Sequence, residues 1–304
     1  MDKENKLIKK VKRLLKRLGC PRWLHHYGPK RYEFLHHFTA LIVRFFCRLS
    51  YRRVKKLFDL LDMVCPSKSA LQYTAKKLDH GFWERVLKIT CGATYLVAID
   101  STGLSRSNPS YHYLKRIDGK IPKIPVKLSA AFNTRKKKFC AAKVRVLPAH
   151  DIRDAQYLLQ KSGAKIGTAD KAYNSEKLYR FAEKQNMLLM VPMKKNIKRG
   201  RVRKKMHKKF RKRTYNRRSS IEAGFGSIKR KFGASVSSKR VRTIRTEMFG
   251  KLVCHNLFGG RLLTFRTEPL LSYRIKGRES LKCFKFTFFI FGVCIHNDIS
   301  TQPI

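Results

Sequence analysis

Apolar residues recur at helical spacing through most of the first ninety positions. Leu7, Val11, Leu14, Leu15 and Leu18 form one such stripe within a lysine-rich segment, and steps of three and four residues predict an amphipathic helix. Phe38 to Leu49 reads as a mostly apolar helix carrying Arg44 and Arg48. Ser50 then stands as the N-cap of a helix running to about Leu61. After Cys65-Pro66, Ser67 or Ser69 caps another helix reaching about Leu78. Two short helices about a Pro-containing turn fit a helix-turn-helix unit, although any small helical bundle has the same periodicity.

The pattern changes after residue 90. Thr94-Tyr-Leu-Val-Ala-Ile-Asp100 is a short, strongly apolar strand ending in a carboxylate. Strand-like segments follow at 110–115, 124–133 and 138–147, the last two joined by the basic turn Thr134-Arg-Lys-Lys-Lys138. A helix is expected from Asp151, read as its cap, to about Lys161. Lys165-Ile-Gly-Thr-Ala-Asp170 is a second short strand ending in an acid. Asn174-Ser175 caps a helix to about Gln185, and Met187–Val191 is a further strand. Met193 to Arg213 reads as a cationic loop, residues 215–232 as a helix, and 240–263 as helical again. Strands grouped first and then alternating with helices predict an α/β fold, a mixed sheet flanked by helices. The expected organisation is a helical, basic region 1–90, an α/β domain 91–262, and a Phe-rich tail 263–304 that fits no element.

Composition sharpens this picture. Apolar residues make up 43% of the 304 positions, enough for a sizeable core, so wholesale disorder is excluded. Against 71 Lys and Arg stand only 19 Asp and Glu, a formal charge of +52. Such a surplus excludes an ordinary metabolic enzyme and requires a polyanionic partner. Eight cysteines without a CxxC pair indicate neither a zinc site nor a disulfide framework, and reduced, buried thiols in an intracellular protein are expected. His25-His26 and His36-His37 lack neighbouring ligands and read as surface or partly buried histidines. Residues 1–17 have no apolar signal-peptide core, and the run Phe284–Ile295 is too short to span a bilayer, so no membrane partner is expected. With DNA as the polyanion, Lys68, Gln72 and Lys76 become candidate contacts at four-residue spacing. The plainer reading is a solvated helix face.

The few acids are then worth inspecting singly, because an acid on a DNA-binding face costs affinity. From Lys194 to Lys231 there are 18 Lys or Arg and one acid, Glu222. Tyr215, Arg218, Glu222 and Lys229 lie at helical steps on one stripe, and Ile221, Phe225, Ile228 and Phe232 on an adjacent apolar one. Gly224 and Gly226 weaken that helix, and close approach of a nucleic-acid backbone is the expected gain. An exposed Arg218–Glu222 ion pair is the plain alternative. Asp100 and Asp170 end their strands, a placement that projects functional groups from the edge of an α/β sheet. Three converging carboxylates suit two divalent ions at a phosphodiester, magnesium by default.

These blocks resemble a DDE transposase of bacterial and archaeal insertion sequences. The signature Tyr-x2-Arg-x3-Glu-x6-Lys is met by Tyr215, Arg218, Glu222 and Lys229. Ala98-Ile-Asp100-Ser-Thr-Gly103, Pro148-Ala-His-Asp151 and Thr168-Ala-Asp170-Lys-Ala-Tyr-Asn-Ser175 are similar to further family blocks, with Ala172 where a Gly is common. The resemblance implies a ribonuclease H-like catalytic fold. It implies metal-dependent cleavage at the element's inverted-repeat ends and joining of the freed 3′ hydroxyl to target DNA. Asp100, Asp170 and Glu222 would be both catalytic and metal-binding, with Mg2+ or Mn2+, and Tyr215, Arg218 and Lys229 would hold double-stranded DNA. A homodimer on DNA, in the nucleoid-associated cytoplasm of a prokaryote, follows from that resemblance. A catalytically inactive, DNA-binding derivative would share the same pattern.

Overall fold

In a computed structural model the described residues are 6–258, apart from 26, 28–29, 107–124 and 194–198, together with 288–290 and 293–295. The strand expected at 110–115 and most of the tail lie outside them. Five helices come first: α1 (Lys6–Arg17), α2 (Phe34–Cys47), α3 (Tyr51–Leu60), α4 (Lys68–Lys77) and α5 (His80–Cys91). Short polar caps set their starts, as cap chemistry requires. Ser50 accepts from Arg53 N at 3.2 Å, Ser67 rather than Ser69 accepts from Ala70 N at 3.3 Å, and Asp79 accepts from Phe82 N at 2.7 Å. His37 Nδ1 meets Thr74 Oγ1 at 2.8 Å and ties α2 to α4. Residues 61–67 join α3 to α4, a longer connection than the three or four residues typical of a helix-turn-helix.

The α/β part follows as β1 (Leu96–Arg106), β2 (Val126–Asn133), β3 (Lys138–Arg145), α6 (Ile152–Ser162), β4 (Ile166–Ala169), α7 (Glu176–Lys184) and β5 (Leu188–Met190). It continues with α8 (Arg201–His207), α9 (Lys212–Tyr215), a 3-10 turn Asn216–Arg218, α10 (Ser219–Phe232), β6 (Ser235–Val236) and α11 (Val241–Phe258). The strand order is β3-β2-β1-β4-β5, with β6 also beside β1. Strands β3, β2 and β1 are antiparallel, whereas β1, β4 and β5 run parallel. The sheet is mixed and flanked by helices, as expected. In the tail, β7 (Phe288–Ile290) and β8 (Val293–Ile295) form an antiparallel pair.

Alternation along β1 sorts its side chains between two cores. Val97 and Ile99 join the cluster under α6 and α7, while Ala98 joins the cluster shared with α10, α11 and the first five helices. That second core runs from Leu7 to Cys254, so the chain on either side of residue 90 is packed as one body. Helix α11 is its centre and is buried on nearly every side from Thr246 to Asn256. A Cβ on Gly250 would run into the Phe45 ring, so glycine there lets α2 cross α11 closely. At the sheet edge, Asn256 Oδ1 accepts from Phe139 N at 2.8 Å and its Nδ2 donates to Phe139 O at 2.7 Å, supplying a missing strand neighbour.

Three segments differ from expectation. The helix expected over 215–232 begins only at Ser219, because Tyr215 ends α9 and Asn216–Arg218 is a 3-10 turn, so Tyr215 and Arg218 precede the helix that carries Glu222 and Lys229. β1 continues six residues beyond Asp100 to Arg106, so this acid lies within the strand and not at its end. The segment read as the loop 193–213 holds α8 and the start of α9. Glu176 at the start of α7 accepts from Val202 N at 3.2 Å and Arg203 N at 3.3 Å, capping α8 from another element. Buried Arg203 also donates to Asn174 Oδ1 at 3.0 Å. This helix depends on distant partners, which explains why local sequence reads as loop.

Candidate catalytic site

Sheet register brings two of the three acids together. The last parallel pair between β1 and β4 is Ile99 with Ala169, so Asp100 and Asp170 are the next residues on neighbouring strands, about 4.8 Å apart in the ladder direction. β4 ends there, and Asp170 caps the 3-10 turn Lys171–Tyr173 by accepting from Lys171 N at 2.7 Å. Asp100 shares the parity of Ala98 and therefore lies on the α10 side of the sheet. Its Oδ1 accepts from Ser101 N at 2.8 Å.

The third acid arrives on α10, which Ile221, Phe225, Ile228 and Phe232 bury against the sheet. Gly224 is needed for that contact: a Cβ there would stand 2.9 Å from Phe132 and 3.2 Å from Phe139. Its gain is close approach to the sheet, and the expected nucleic-acid contact at this glycine is corrected accordingly. Gly226 faces open space. Glu222 projects from the exposed flank next to that buried face, so the packing presents it beside the sheet and leaves it accessible.

Arg218 links the acids. Its Nη2 lies 2.6 Å from Glu222 Oε1 and its Nη1 lies 3.4 Å from Asp100 Oδ2. Burial opposes the guanidinium charge, but Glu222, Tyr215, Asp100 and Asp170 outweigh it and hold the pKa above the ordinary arginine value. The plain Arg218–Glu222 pair is present, then, but as part of a larger group that includes Asp100 and the field of Asp170. At Asp100 the balance goes the other way. Burial raises the carboxyl pKa, helped by Glu222 and Asp151 and opposed by Ser101 N and Arg218. Tyr215 belongs to the same neighbourhood and rests on Phe210, ring centroids 5.4 Å apart. Lys229 is two turns further along α10, about 10 Å by helix rise.

A supporting layer lies behind Asp100. Asp151 makes no capping hydrogen bond, contrary to expectation. It accepts from Ser101 Oγ at 2.6 Å and pairs with Lys127. Burial pushes its pKa up, yet Lys127 and Ser101 hold it below the ordinary aspartate value. Tyr173 is buried beside these acids. Burial first, then Asp151 and Asp100, raise its pKa. Lys127 escapes sequence reasoning, and Ser101 and Tyr173 stand in the quoted blocks without a role, because each contributes through contacts between strands or across the sheet. Lys68, Gln72 and Lys76 are exposed along one face of α4 and belong to a different surface. Tyr111 and Tyr113 lie outside the described residues, and Phe139 is core.

Residues 92–257, more than half of the chain, match the family model described as a transposase DDE domain. The chain belongs to that family. Its matched region begins at the end of α5 and closes within α11, so it contains all three acids and the sheet that orders them. No curated protein matches the chain. Among solved structures it is similar to a piggyBac transposase synaptic complex with hairpin DNA, at 12% identity and a TM-score of 0.42, covering 84% of this chain and 72% of that one. At that score neither fold nor residue roles follow from the likeness. Among the described residues no helix is long and apolar enough to cross a membrane.

The donor set fits a hard cation. Asp100, Asp170 and Glu222 offer only oxygen, and a guanidinium is already drawn among them, so the local potential favours positive charge. Glu222 leans on Arg218, and among the described residues no three acids, histidines or cysteines are gathered tightly enough to hold one ion together.

Proposed function

We propose that this DDE domain catalyses cleavage at the ends of an insertion sequence and joining of those ends to target DNA. What supports the reading is Arg218, which pairs with Asp100 on β1 and Glu222 on α10 within the field of Asp170 at the end of β4, in a chain of charge +52. The order β3-β2-β1-β4-β5, antiparallel on one side of β1 and parallel on the other, supports a ribonuclease H-like fold. Asp100, Asp170 and Glu222 would hold magnesium, with manganese as a substitute. The bound ions would supply activation of the attacking oxygen and neutralise charge on the leaving one.

The chain's own residues do the rest. Asp151 and Ser101 fix β1 at Asp100, so that its carboxylate keeps one orientation. Arg218 holds Asp100 and Glu222 in reach of each other, then turns to a phosphate when DNA and metal arrive. Tyr215 at the end of α9 and Lys229 on α10 bracket it and position the strand on either side of the reacting phosphate. Lys68, Gln72 and Lys76 meet the duplex at the element's inverted-repeat ends. Two ends must be brought together, which calls for a homodimer on DNA, and the setting is the nucleoid of a bacterium or archaeon. The guanidinium between the carboxylates favours a second reading, a DNA binder that has lost its chemistry. Purified protein with magnesium is expected to nick and join DNA carrying the repeats that flank its gene. Asp100→Asn, Asp170→Asn and Glu222→Gln should each abolish this and leave binding intact. Full activity in any one of them sinks the assignment, and an inactive wild-type protein that still binds supports the second reading.

A further inference from the structure

A cavity of about 300 Å3 opens where α2, α3, α4 and the start of α11 meet, away from the three carboxylates. Its cations come from separate elements: Arg44 from α2, Lys76 from α4 and Arg240 from the segment leading into α11. Arg44 is 9% exposed. Its guanidinium lies over the Tyr51 ring at 4.2 Å and the Phe45 ring at 5.1 Å, and its Nε has no hydrogen-bond partner. A buried guanidinium puts positive charge at the back of the cavity, and an anion seated there compensates it. Gln72 and Thr243 add neutral polar groups to the wall. The buried acid Glu247 lies within the field of Arg44 but is hydrogen-bonded and paired elsewhere. It accepts from Ser237 N at 3.1 Å and Ser238 N at 2.9 Å, and it pairs with Lys251 at 3.6 Å.

We infer that this cavity is a phosphate subsite that seats one backbone phosphate of the bound duplex against Arg44, with Lys76 and Arg240 at its mouth. The inference deepens the DNA-binding part of the proposed function and makes α4 one wall of a built pocket instead of a solvated face. Arg44 supplies a fixed donor at the back, and the two exposed cations adjust to the duplex. Free inorganic phosphate has the same chemistry, so the test separates the two sources.

The full-length protein and the double variant Lys76→Gln/Arg240→Gln would be titrated with a duplex in EDTA, where no cleavage interferes. Both altered residues are exposed, so the variant folds, and matching melting temperatures check this. The dependence of binding on salt is expected to be shallower in the variant by about 0.9 in the log–log slope, one phosphate contact. Sodium phosphate should displace DNA from the wild-type protein more strongly than sodium chloride at equal ionic strength, and this excess should vanish in the variant. An unchanged slope with the phosphate excess lost would assign the pocket to free phosphate and overturn the DNA contact. A shallower slope without any phosphate excess would reduce the cations to surface contacts and overturn the pocket. If neither quantity moves, the proposal fails outright. A wild-type protein that does not bind DNA at all sinks the proposed function with it, whereas loss of cleavage alone leaves these measurements untouched.

Discussion

Two glycines in α10 invite the same substitution with opposite outcomes. At Gly226 nothing lies within 4 Å of an added Cβ. Alanine there gains helix propensity alone, about 0.5–1 kcal/mol. At Gly224 the same methyl would stand 2.9 Å from Phe132 Cε2 and 3.2 Å from Phe139 Cζ. Those rings cannot yield easily: they contact each other at a centroid distance of 4.8 Å, and Phe139 also stacks on Phe225 at 5.8 Å. Overpacking costs about 1–3 kcal/mol, so after the propensity gain Gly224→Ala destabilises by up to about 2 kcal/mol. Thermal unfolding of the two variants reads the difference, at about 2–4 °C per kcal/mol in domains of somewhat smaller size. The Gly224 variant should also lose DNA cleavage more than its stability explains, because α10 is pushed off the sheet and carries Glu222 with it. Equal stabilisation by both alanines would refute the claim that Gly224 serves the helix–sheet contact.

Two other perturbations test the supports of the fold. Asp154 is 1% exposed and takes Arg145 Nε at 2.9 Å together with Ser129 Oγ at 2.9 Å. Asp154→Ala strands the partly exposed Arg145 and should cost about 2–4 kcal/mol, read from urea midpoints; a cost near zero would show the pair to be dispensable. Burial pushes the Glu247 carboxyl up, but Ser238, Lys251 and Ser237 hold its pKa below the ordinary glutamate value. A depressed carboxylate stabilises the fold above its unfolded pKa and loses that contribution as pH falls through the folded one. The stability gap between wild-type protein and Glu247→Gln should thus be widest near neutrality and close below the ordinary glutamate range. A gap that stays constant into acid rules this out.

Periodicity made the framework of the fold legible. The steps joining Ile221, Phe225, Ile228 and Phe232 specify one buried face of α10, and they are enough to place Glu222 on the exposed flank beside it. The continuous apolar run marks the strand into Asp100, but it could not show that β1 goes on to Arg106, because that extension is held by β2 and β6 rather than by its own apolar pattern. The α8 helix was hidden for a related reason: Glu176, two dozen residues earlier, caps it. Asp151 is the instructive case at the site. Its position just before a helix reads as a cap, and only the fold brings Lys127 and Ser101 close enough to claim its carboxylate. Scarcity is what singles out Glu222 as a candidate, because its neighbours in sequence are nearly all cationic.

The core that joins Leu7 to Cys254 has a mechanical meaning. Helix α4 and the carboxylates are separated by close-packed side chains and not by a flexible tether, so their separation is a fixed length of the protomer. On the DNA-binding reading the molecule then acts as a ruler: a duplex gripped at α4 reaches Glu222 only at one spacing and one helical phase. Altered spacing between the recognised sequence and the cut must then be absorbed by bending the DNA or by movement between subunits, since among the described residues α4 and α10 share one packed core.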